Sequence, residues 1–258
     1  MNPDHLNAAI ESLWEYTRKG IYSPSEWKGR LDVETAYRVQ LALLERHIQS
    51  GATHVGWKVG LTAKAIQKQF EFHEPVFGFL LGSGALSSGV RLKFEELNMP
   101  GFENELCVTL GAPLRGPGVT RAKAREAIDA VAPALEIVEK RGEFAADPPL
   151  SLADNVQQRA FVTGVATRPL PPGAVLGQST VKVYINGELV GEARGTEVLG
   201  DPAASVAWLA NRLHDFGVTL EAGMKVMTGS FTKQFPLAQG DVIEARFDPY
   251  GMVTAECI

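Results

Sequence analysis

The stretch Pro100–Leu110 constrains the fold most, because it places two carboxylates inside an apolar run typical of a β-strand. Successive side chains of a strand point to opposite faces, so Glu103 and Glu105 share one face, with Cys107 next along it. Two carboxylates on a strand that enters a core are costly unless a positive group binds them. A hard divalent cation such as Mg²⁺ meets that need. The spacing alone also allows two exposed glutamates on an edge strand.

Composition narrows the functional classes. The chain has 258 residues, is 45% apolar, and carries a net charge of −5 without a basic stripe, so we expect no nucleic-acid partner. No apolar run reaches the roughly 18 residues of a membrane-spanning helix, and we expect no membrane association. The first ten residues lack a signal-peptide core, and Cys107 and Cys257 form no disulfide framework. These observations predict a cytoplasmic protein.

The N-terminal part of the chain has helical periodicity. Apolar positions predict one helix over residues 5–19, which Gly20 ends, and a second over residues 33–50, with Asp32 as its N-cap. This pair is too small for an independent core. We therefore expect residues 1–51 to form an N-terminal helical segment packed on the main domain, and residues 52–258 to form a catalytic β-roll domain.

The rest of the chain is rich in predicted strands. Strands are predicted over residues 55–62, 75–81, 134–139, 160–164, 242–247 and 252–257, and helices over residues 63–70, 121–131 and 201–216. Pro133 is expected to stop the second of these helices, and residues 148–155 are expected to form a loop. Asn186-Gly187 predicts a tight hairpin within residues 181–190. Hairpins exclude a purely parallel sheet and favour an α+β fold, a mixed, mainly antiparallel β-roll with flanking helices.

Two further charged residues have two interpretations each. Lys58 lies in a strand between glycines, and is either a solvated edge residue or a fixed positive charge in a site that a ligand approaches closely. Glu136 lies on the strand face opposite Leu135 and Ile137. It is either a third inward carboxylate of a metal site or a surface glutamate beside Glu139.

An ordered set of short segments resembles one family. The segments are Gly56-Trp57-Lys58-Val59-Gly60-Leu61-Thr62, Glu103-Asn104-Glu105, Pro133-Ala134-Leu135-Glu136, Ala153-Asp154-Asn155, and Thr228-Gly229-Ser230 followed by Gly240-Asp241. Together they resemble the 2-keto-4-pentenoate hydratase / 4-oxalocrotonate decarboxylase family of the fumarylacetoacetate hydrolase superfamily, from about residue 30 to the end. The resemblance implies a β-roll of the fumarylacetoacetate hydrolase C-terminal type. It also implies a homo-oligomer, and allows a complex with a paired hydratase or decarboxylase.

The resemblance also implies a site. Glu103, Glu105 and Glu136 would hold Mg²⁺ or Mn²⁺, and Lys58 would face the substrate pocket, as a catalytic and substrate-binding residue. The segments around Asp154 and Ser230 would help to line that pocket. Lys58 supplies the positive charge that three carboxylates and one divalent cation still lack.

The chain departs from the family pattern at two places. Gly101 stands where family members often have a basic residue, before the Glu-x-Glu strand. After the Asp-Asn pair, the run from Val156 to Arg159 replaces small residues. Both departures are expected to reshape the substrate end of the pocket.

The resemblance implies chemistry on a small 2-oxo or 2-hydroxydienoic acid in aromatic meta-cleavage catabolism. The leading hypothesis is a metal-dependent hydratase that adds water to a 2-hydroxy-2,4-dienoate and gives a 4-hydroxy-2-oxo acid. Decarboxylation of 4-oxalocrotonate is the first alternative, and hydrolytic carbon–carbon cleavage of an acylpyruvate is the second. From a different class, the chain could be a non-catalytic partner subunit. The intact Lys58 and three glutamates argue against that last hypothesis.

Overall fold

The computed structural model describes residues 3–69 and 72–258. The helices of this part are α1 Pro3–Arg18, α2 Val33–Gln49, α3 Lys64–Gln69, α4 Arg121–Ala127, α5 Pro148–Ala153 and α6 Pro202–His214. The strands are β1 His54–Gly60, β2 Val76–Leu81, β3 Ala85–Ser87, β4 Val90–Leu92, β5 Pro100–Leu110, β6 Ile128–Glu139, β7 Gln158–Thr163, β8 Thr180–Ile185, β9 Glu188–Arg194, β10 Lys225–Met227, β11 Phe235–Pro236, β12 Val242–Asp248 and β13 Gly251–Cys257. Residue 70, the last of the predicted helix 63–70, lies outside the described residues.

The two N-terminal helices form where the sequence predicts them. The Asp32 carboxylate accepts a hydrogen bond from the Thr35 amide at 2.7 Å, which caps α2. The apolar side of α2 joins the main core, where Tyr37 stacks on Phe77 of β2 with ring centroids 4.1 Å apart. The helical segment and the β-roll therefore share one core, and the domain boundary at residue 51 stays a prediction.

The strands of the described part form two sheets. The larger has the order β2-β1-β10-β5-β6-β7-β3, with β11 also paired to β5, and the smaller has the order β4-β13-β12-β8-β9. Three pairs are parallel, namely β1 with β10, β3 with β7, and β4 with β13, and the other pairs are antiparallel. The prediction of an α+β fold with mixed, mainly antiparallel sheets is confirmed. The predicted hairpin is confirmed too, because Asn186 and Gly187 have φ values of 53° and 82° between β8 and β9.

The helix predicted over residues 121–131 was too long. It ends at Ala127, and Pro133 lies inside β6 instead of stopping a helix. The Pro133 carbonyl accepts from the Gly164 amide, so the nitrogen of Pro133 also faces the β7 side of the strand. The missing N–H therefore breaks no bond between β5 and β6, and it loses no strand partner in β7, which ends at Thr163.

The loop predicted over residues 148–155 was wrong in its first part, where α5 forms. Asp147 caps this helix by accepting from the Leu150 amide at 3.1 Å. Pro148 and Pro149 occupy the first turn, where a proline loses no helical hydrogen bond. The proline pair therefore begins a helix and does not interrupt one.

The larger sheet curls strongly. Strands β10 and β5 lie between β1 and β6 in the sheet, so a flat sheet would separate β1 from β6 by about 14 Å. The Lys58 ammonium of β1 nevertheless lies 3.4 Å from a carboxylate oxygen of Glu136 on β6. Lys58 therefore crosses the concave interior of the roll, and this interior face carries the candidate site. No helix of the described residues is long and apolar enough to cross a membrane.

Candidate metal and substrate site

The three glutamates meet on one face of two neighbouring strands. Glu103 lies directly opposite Glu136 in the β5–β6 register, and Glu105 lies two residues further along β5. One carboxylate oxygen from each residue lies within 4.8 Å of the others. Glu105 and Glu136 are 0% exposed, and Glu103 is half-buried. The alternatives of an exposed edge pair and a surface Glu136 are therefore wrong. We call these three residues the glutamate cluster.

Most of the cluster's buried oxygens have no protein partner. Glu105 accepts one hydrogen bond, from the Gly229 amide at 2.8 Å. The other oxygen of Glu105 and both oxygens of Glu136 accept none from the described residues. The ammonium of Lys58 lies close to one Glu136 oxygen, so one positive charge faces three carboxylates. Buried carboxylate oxygens in this condition are unstable unless a cation or protons satisfy them.

The protonation of the cluster reflects this imbalance. Burial, together with the negative charge of Glu136, raises the pKa of Glu103 to about 7. Burial and the charges of Glu136 and Glu103 raise the pKa of Glu105 well above its ordinary value. Burial also raises the pKa of Glu136, although Lys58 opposes that change. The metal-free cluster therefore holds protons at pH values where isolated glutamates are ionised.

The donor set fits a hard divalent cation. Three carboxylates converge, their oxygens lack protein donors, and no nitrogen or sulfur ligand accompanies them among the described residues. Oxygen-only sites of this kind suit Mg²⁺ or Mn²⁺ better than zinc or copper. The assignment of these residues as metal ligands stays a prediction.

Lys58 is buried, with 3% of its surface exposed, so a solvated edge lysine is excluded. Its ammonium lies 3.4 Å from Glu136 and donates to the Val156 carbonyl at 3.3 Å. Two glycines flank the side chain. A Cβ added at Gly60 would make only ordinary contact with the ammonium, at 3.5 Å, whereas one at Gly78 would lie 2.7 Å from the Asn155 amide oxygen, so the glycine at position 78 makes room for Asn155.

A segment with unusual backbone geometry presents that carbonyl to Lys58. Asn155, Val156 and Gln157 have φ values of 52°, 52° and 60°, a region that β-branched residues such as valine avoid. The Asn155 amide holds the segment against the edge strand β2, because it accepts from the Phe79 N–H at 2.7 Å and donates to the Phe79 carbonyl at 3.0 Å. Strained backbone of this kind is found at binding sites, where the surrounding structure fixes it.

A cavity of about 350 Å³ opens above the glutamate cluster. Lys58, Glu103 and Ser230 all line it, so the structure brings these three predicted site residues together. The Ser230 hydroxyl lies 3.5 Å from the Asn104 carbonyl, which leaves it weakly held. The remaining lining residues are Gly60, Leu61, Thr62, Ala63, Ile66, Val76, Val138, Phe144, Val156, Gln157, Thr232, Lys233 and Gln234.

Asp154 is the predicted site residue that the structure places elsewhere. Its carboxylate lies 2.9 Å from the Arg141 guanidinium, in a separate cleft that also contains Glu139 and Arg159. Burial raises the pKa of Asp154 to about 6, although Arg141 opposes the change. The neighbouring Val156 and Gln157 reach the cavity instead. We call Glu139, Arg141, Asp154 and Arg159 the arginine cluster.

The two departures from the family pattern have different outcomes. At Gly101 a Cβ would lie 2.5 Å from the Gln234 amide nitrogen, so an uncharged amide of the cavity fills the space beside this glycine. In the second departure, Val156 and Gln157 line the cavity, whereas Arg159 belongs to the arginine cluster outside it.

The structural roles of two residues near the site were not predicted from the sequence. Gly229 has a φ of 112°, and a Cβ there would lie 2.5 Å from the Thr62 side chain, so glycine is required where its amide meets Glu105. The Thr-Gly-Ser motif carried this signal. The sequence predicts only a loop at Asn155, and nothing in its neighbourhood indicates a bond to Phe79, which lies far away in the chain.

The family comparison decides the classification. The profile of the fumarylacetoacetate (FAA) hydrolase C-terminal family matches residues 53–257. The chain belongs to this family. The match covers both sheets, and the family fold predicted from the sequence is confirmed.

Three relatives illustrate the range of the family. A 2-hydroxyhexa-2,4-dienoate hydratase of Comamonas testosteroni is 37% identical over 221 residues, which are 84% of this chain and 82% of that protein. A 4-oxalocrotonate decarboxylase of Pseudomonas sp. (strain CF600) is 36% identical over 226 residues, 86% of this chain and 84% of that protein. The solved structure of a 4-oxalocrotonate decarboxylase from Pseudomonas putida G7, complexed with magnesium and adipate, matches with a TM-score of 0.92 and 32% identity, over 100% of this chain and 99% of that one.

Proposed function

We propose that this chain is a divalent-metal-dependent hydratase that adds water to a 2-hydroxy-2,4-dienoate. One observation carries the proposal: three converging glutamates with unpartnered oxygens lie beside a buried lysine at the floor of a small cavity. The similarity to a 2-hydroxyhexa-2,4-dienoate hydratase supports the substrate class. The dienol loses its 2-hydroxyl proton as its far carbon gains one, and water then adds to the resulting conjugated ketone. The net change is the addition of one water, which gives a 4-hydroxy-2-oxo acid.

Glu103, Glu105 and Glu136 are the proposed ligands of Mg²⁺ or Mn²⁺. Magnesium in the structure of a relative with a TM-score of 0.92 supports this choice of metal. When bound, the cation would neutralise the cluster together with Lys58, and would supply Lewis-acid stabilisation of negative charge on the oxygen atoms of a 2-oxo acid. The half-buried Glu103 lies at the boundary between the buried carboxylates and the cavity, so it is the ligand nearest to the substrate space.

Lys58 is the proposed catalytic residue. Glu136 and the Val156 carbonyl together hold its ammonium at the cavity, where Lys58 is 3% exposed. A fixed positive charge in such surroundings stabilises negative charge that develops on a neighbouring substrate oxygen, and an ammonium can also donate a proton. Ser230, whose hydroxyl makes only one long contact, is a proposed substrate ligand at the same cavity.

The test uses the purified chain, stripped of metal and then mixed with 2-hydroxypenta-2,4-dienoate with or without Mg²⁺. We expect Mg²⁺-dependent loss of the dienol absorbance and formation of the 4-hydroxy-2-oxo acid. The Lys58→Met variant should keep Mg²⁺ binding and lose turnover by roughly 10²–10³-fold. Turnover that is unaffected by metal removal would contradict the proposal.

Decarboxylation of 4-oxalocrotonate is the second candidate. The similarity to two 4-oxalocrotonate decarboxylases, one of them over nearly the whole chain, favours it. The same glutamates and lysine would serve both reactions, because each one passes through negative charge on the 2-oxo group. Release of CO₂ from 4-oxalocrotonate, without hydration of the dienoate, would identify this activity.

The proposed setting is a cytoplasmic homo-oligomer in the catabolism of aromatic compounds by meta-cleavage. Exposed apolar side chains, among them Val165, Met252 and Leu189, offer surface for contacts between copies. Light scattering on the purified chain, alone and mixed with a decarboxylase of the same family, would measure the size of the oligomer and any paired complex.

A further inference from the structure

Two chemically different sets of residues line the cavity. One set carries polar, uncharged groups from Thr62, Gln157, Ser230, Thr232 and Gln234. The other set, which we call the apolar wall, consists of Leu61, Ile66, Val76, Val138, Phe144 and Val156. The residues of the apolar wall come from separate segments of the chain, so tertiary packing forms this surface and no single hydrophobic strand does.

Few positively charged side chains line the cavity. Among the described lining residues, the positively charged ones are Lys58 and Lys233. Lys58 contacts Glu136 and the Val156 carbonyl, beside the glutamate cluster. Lys233 is exposed, and its ammonium lies 5.7 Å from the centre of the Phe235 ring. A cation in contact with water binds an anion only weakly.

The position beside Gly101 is also uncharged. Gly101 and Val138 are paired on β5 and β6, so they extend the glutamate-bearing face outward from Glu103 and Glu136. The Gln234 amide fills the space beside Gly101, and the Val138 side chain lines the cavity next to it. Within β5 and β6, no cation lies outward of the cluster on this face. Lys140 follows the end of β6 on the same face, but it is exposed and its ammonium pairs with Glu143.

We propose that the substrate has a single carboxylate and a short uncharged hydrocarbon tail, and that the apolar wall binds this tail. A second carboxylate against the wall would lose its water without gaining a partner, whereas a methyl or ethyl end would gain contact area. The inference rests on the proposed function, which sets the 2-oxo end on the glutamate cluster. It distinguishes alkyl dienoates from dicarboxylic substrates such as 4-oxalocrotonate.

The experiment compares two unreactive acids with six carbons each, 2-oxohexanoate and 2-oxohexanedioate. They differ only in a terminal methyl group or carboxylate. Calorimetry on the Mg²⁺-loaded chain should show 2-oxohexanoate binding tighter by about tenfold or more. Equal or tighter binding of the diacid would overturn the inference while leaving the proposed function intact. If Mg²⁺ binds but neither acid does, the proposed function itself fails.

Two variants localise the selectivity. Ile66→Arg places a guanidinium on the apolar wall and should shift the ratio of the two affinities toward the diacid by about tenfold, with Mg²⁺ binding as the control for folding. Lys233→Gln should leave the ratio unchanged. A selective loss of diacid binding in Lys233→Gln would show that Lys233 serves a second carboxylate, and would overturn the inference.

Discussion

Two groups of mostly buried charged side chains lie at the same end of β6, and they differ in charge balance. In the arginine cluster, Glu139 and Asp154 face the guanidinium groups of Arg141 and Arg159 at 2.9–3.6 Å. In the glutamate cluster, three carboxylates share one ammonium, and three fully buried oxygens accept no hydrogen bond from the described residues. Glu136 and Glu139, three positions apart on one strand, belong to different clusters.

The difference separates a structural role from a functional one. Buried charges that are paired one to one need nothing further, and they fix neighbouring backbone, as the bond from Arg141 to the Asp154 carbonyl does. Buried charges of one sign that remain unpaired raise the free energy of the folded state until a ligand arrives. The four predictions that follow test this contrast, from the largest expected effect to the smallest.

Glu136→Gln and Glu139→Gln form a matched pair of buried substitutions on β6. Glu136→Gln should abolish tight Mg²⁺ binding and reduce turnover by roughly 10²–10³-fold, while the unfolding free energy of the metal-free chain changes by less than about 1 kcal/mol. Glu139→Gln should keep Mg²⁺ binding and lose about 1.5–3 kcal/mol of stability, because it weakens charged bonds to two arginines. Calorimetry and denaturant unfolding measure both effects. The contrast fails if the two variants exchange these phenotypes.

The pH dependence of stability should differ with and without metal. Because the pKa of Glu103 rises from 4.5 to about 7 on folding, its contribution to stability is complete below pH 4.5 and is lost as the pH rises through about 7. The raised pKa of Glu105 acts in the same direction. Mg²⁺ requires ionised ligands, so its binding should release protons, strengthen as the pH rises, and add about 2.7 kcal/mol at one hundred times its dissociation constant.

Thermal unfolding between pH 4.5 and 8, in the presence and absence of Mg²⁺, checks this prediction. Asp154→Asn is the control, since the pKa of Asp154 is raised to about 6 and it also contributes stability that is lost as the pH rises. Mg²⁺ should not restore the stability that is lost when Asp154 ionises, near pH 6. The variant should lack this part of the pH dependence. An apo chain whose stability increases from pH 4.5 to 7 would contradict the assigned protonation of the glutamate cluster.

Asn155 connects the two clusters, because it lies between Asp154 and the Val156 carbonyl that Lys58 contacts. Asn155→Ala removes both bonds to Phe79 and should cost about 2 kcal/mol of stability and reduce kcat by roughly tenfold through displacement of Lys58. Asn186→Ala, at a residue of similar φ in the hairpin, is the matched control. It should lower stability but leave kcat unchanged. Equal effects on kcat would assign Asn155 no special part in positioning Lys58.

Arg159→Gln should have the smallest effect. Its side chain is 44% exposed and lies 3.4 Å from Glu139, outside the cavity. Loss of one partly exposed ion pair should lower stability by less than about 1 kcal/mol. The kcat and KM should stay within about twofold of the wild type in steady-state assays. A large change in KM would place Arg159 at the substrate end of the pocket, as the departure from the family pattern predicts.

The sequence predicts the elements of this site better than their arrangement. The alternation of Glu103 and Glu105 in an apolar run, and the Asn186-Gly187 turn, are local patterns that fix a face or a turn without further context. The pairing of Glu103 with Glu136 depends on the register of two strands, which no local pattern specifies.

Other features escaped prediction for similar reasons. Pro133 is tolerated within β6 because of where β7 ends, and the left-handed Val156 is held by a side chain bonded to a distant strand. Both depend on tertiary contacts that override local preference. The placement of Asp154 also depends on tertiary contacts. The sequence shows its motif but does not indicate its ion pair with Arg141.

The crossing of Lys58 over the roll has a consequence for how the site assembles during folding. The carboxylates come from β5 and β6, an antiparallel pair close together in the chain, whereas Lys58 comes from β1, whose parallel partner β10 pairs Trp57 with Val226. Pairings between such distant segments carry a large loop-closure cost and are slow to form. The acidic half of the site therefore rests on a local strand pair, whereas Lys58 reaches it only through the long-range closure of the roll.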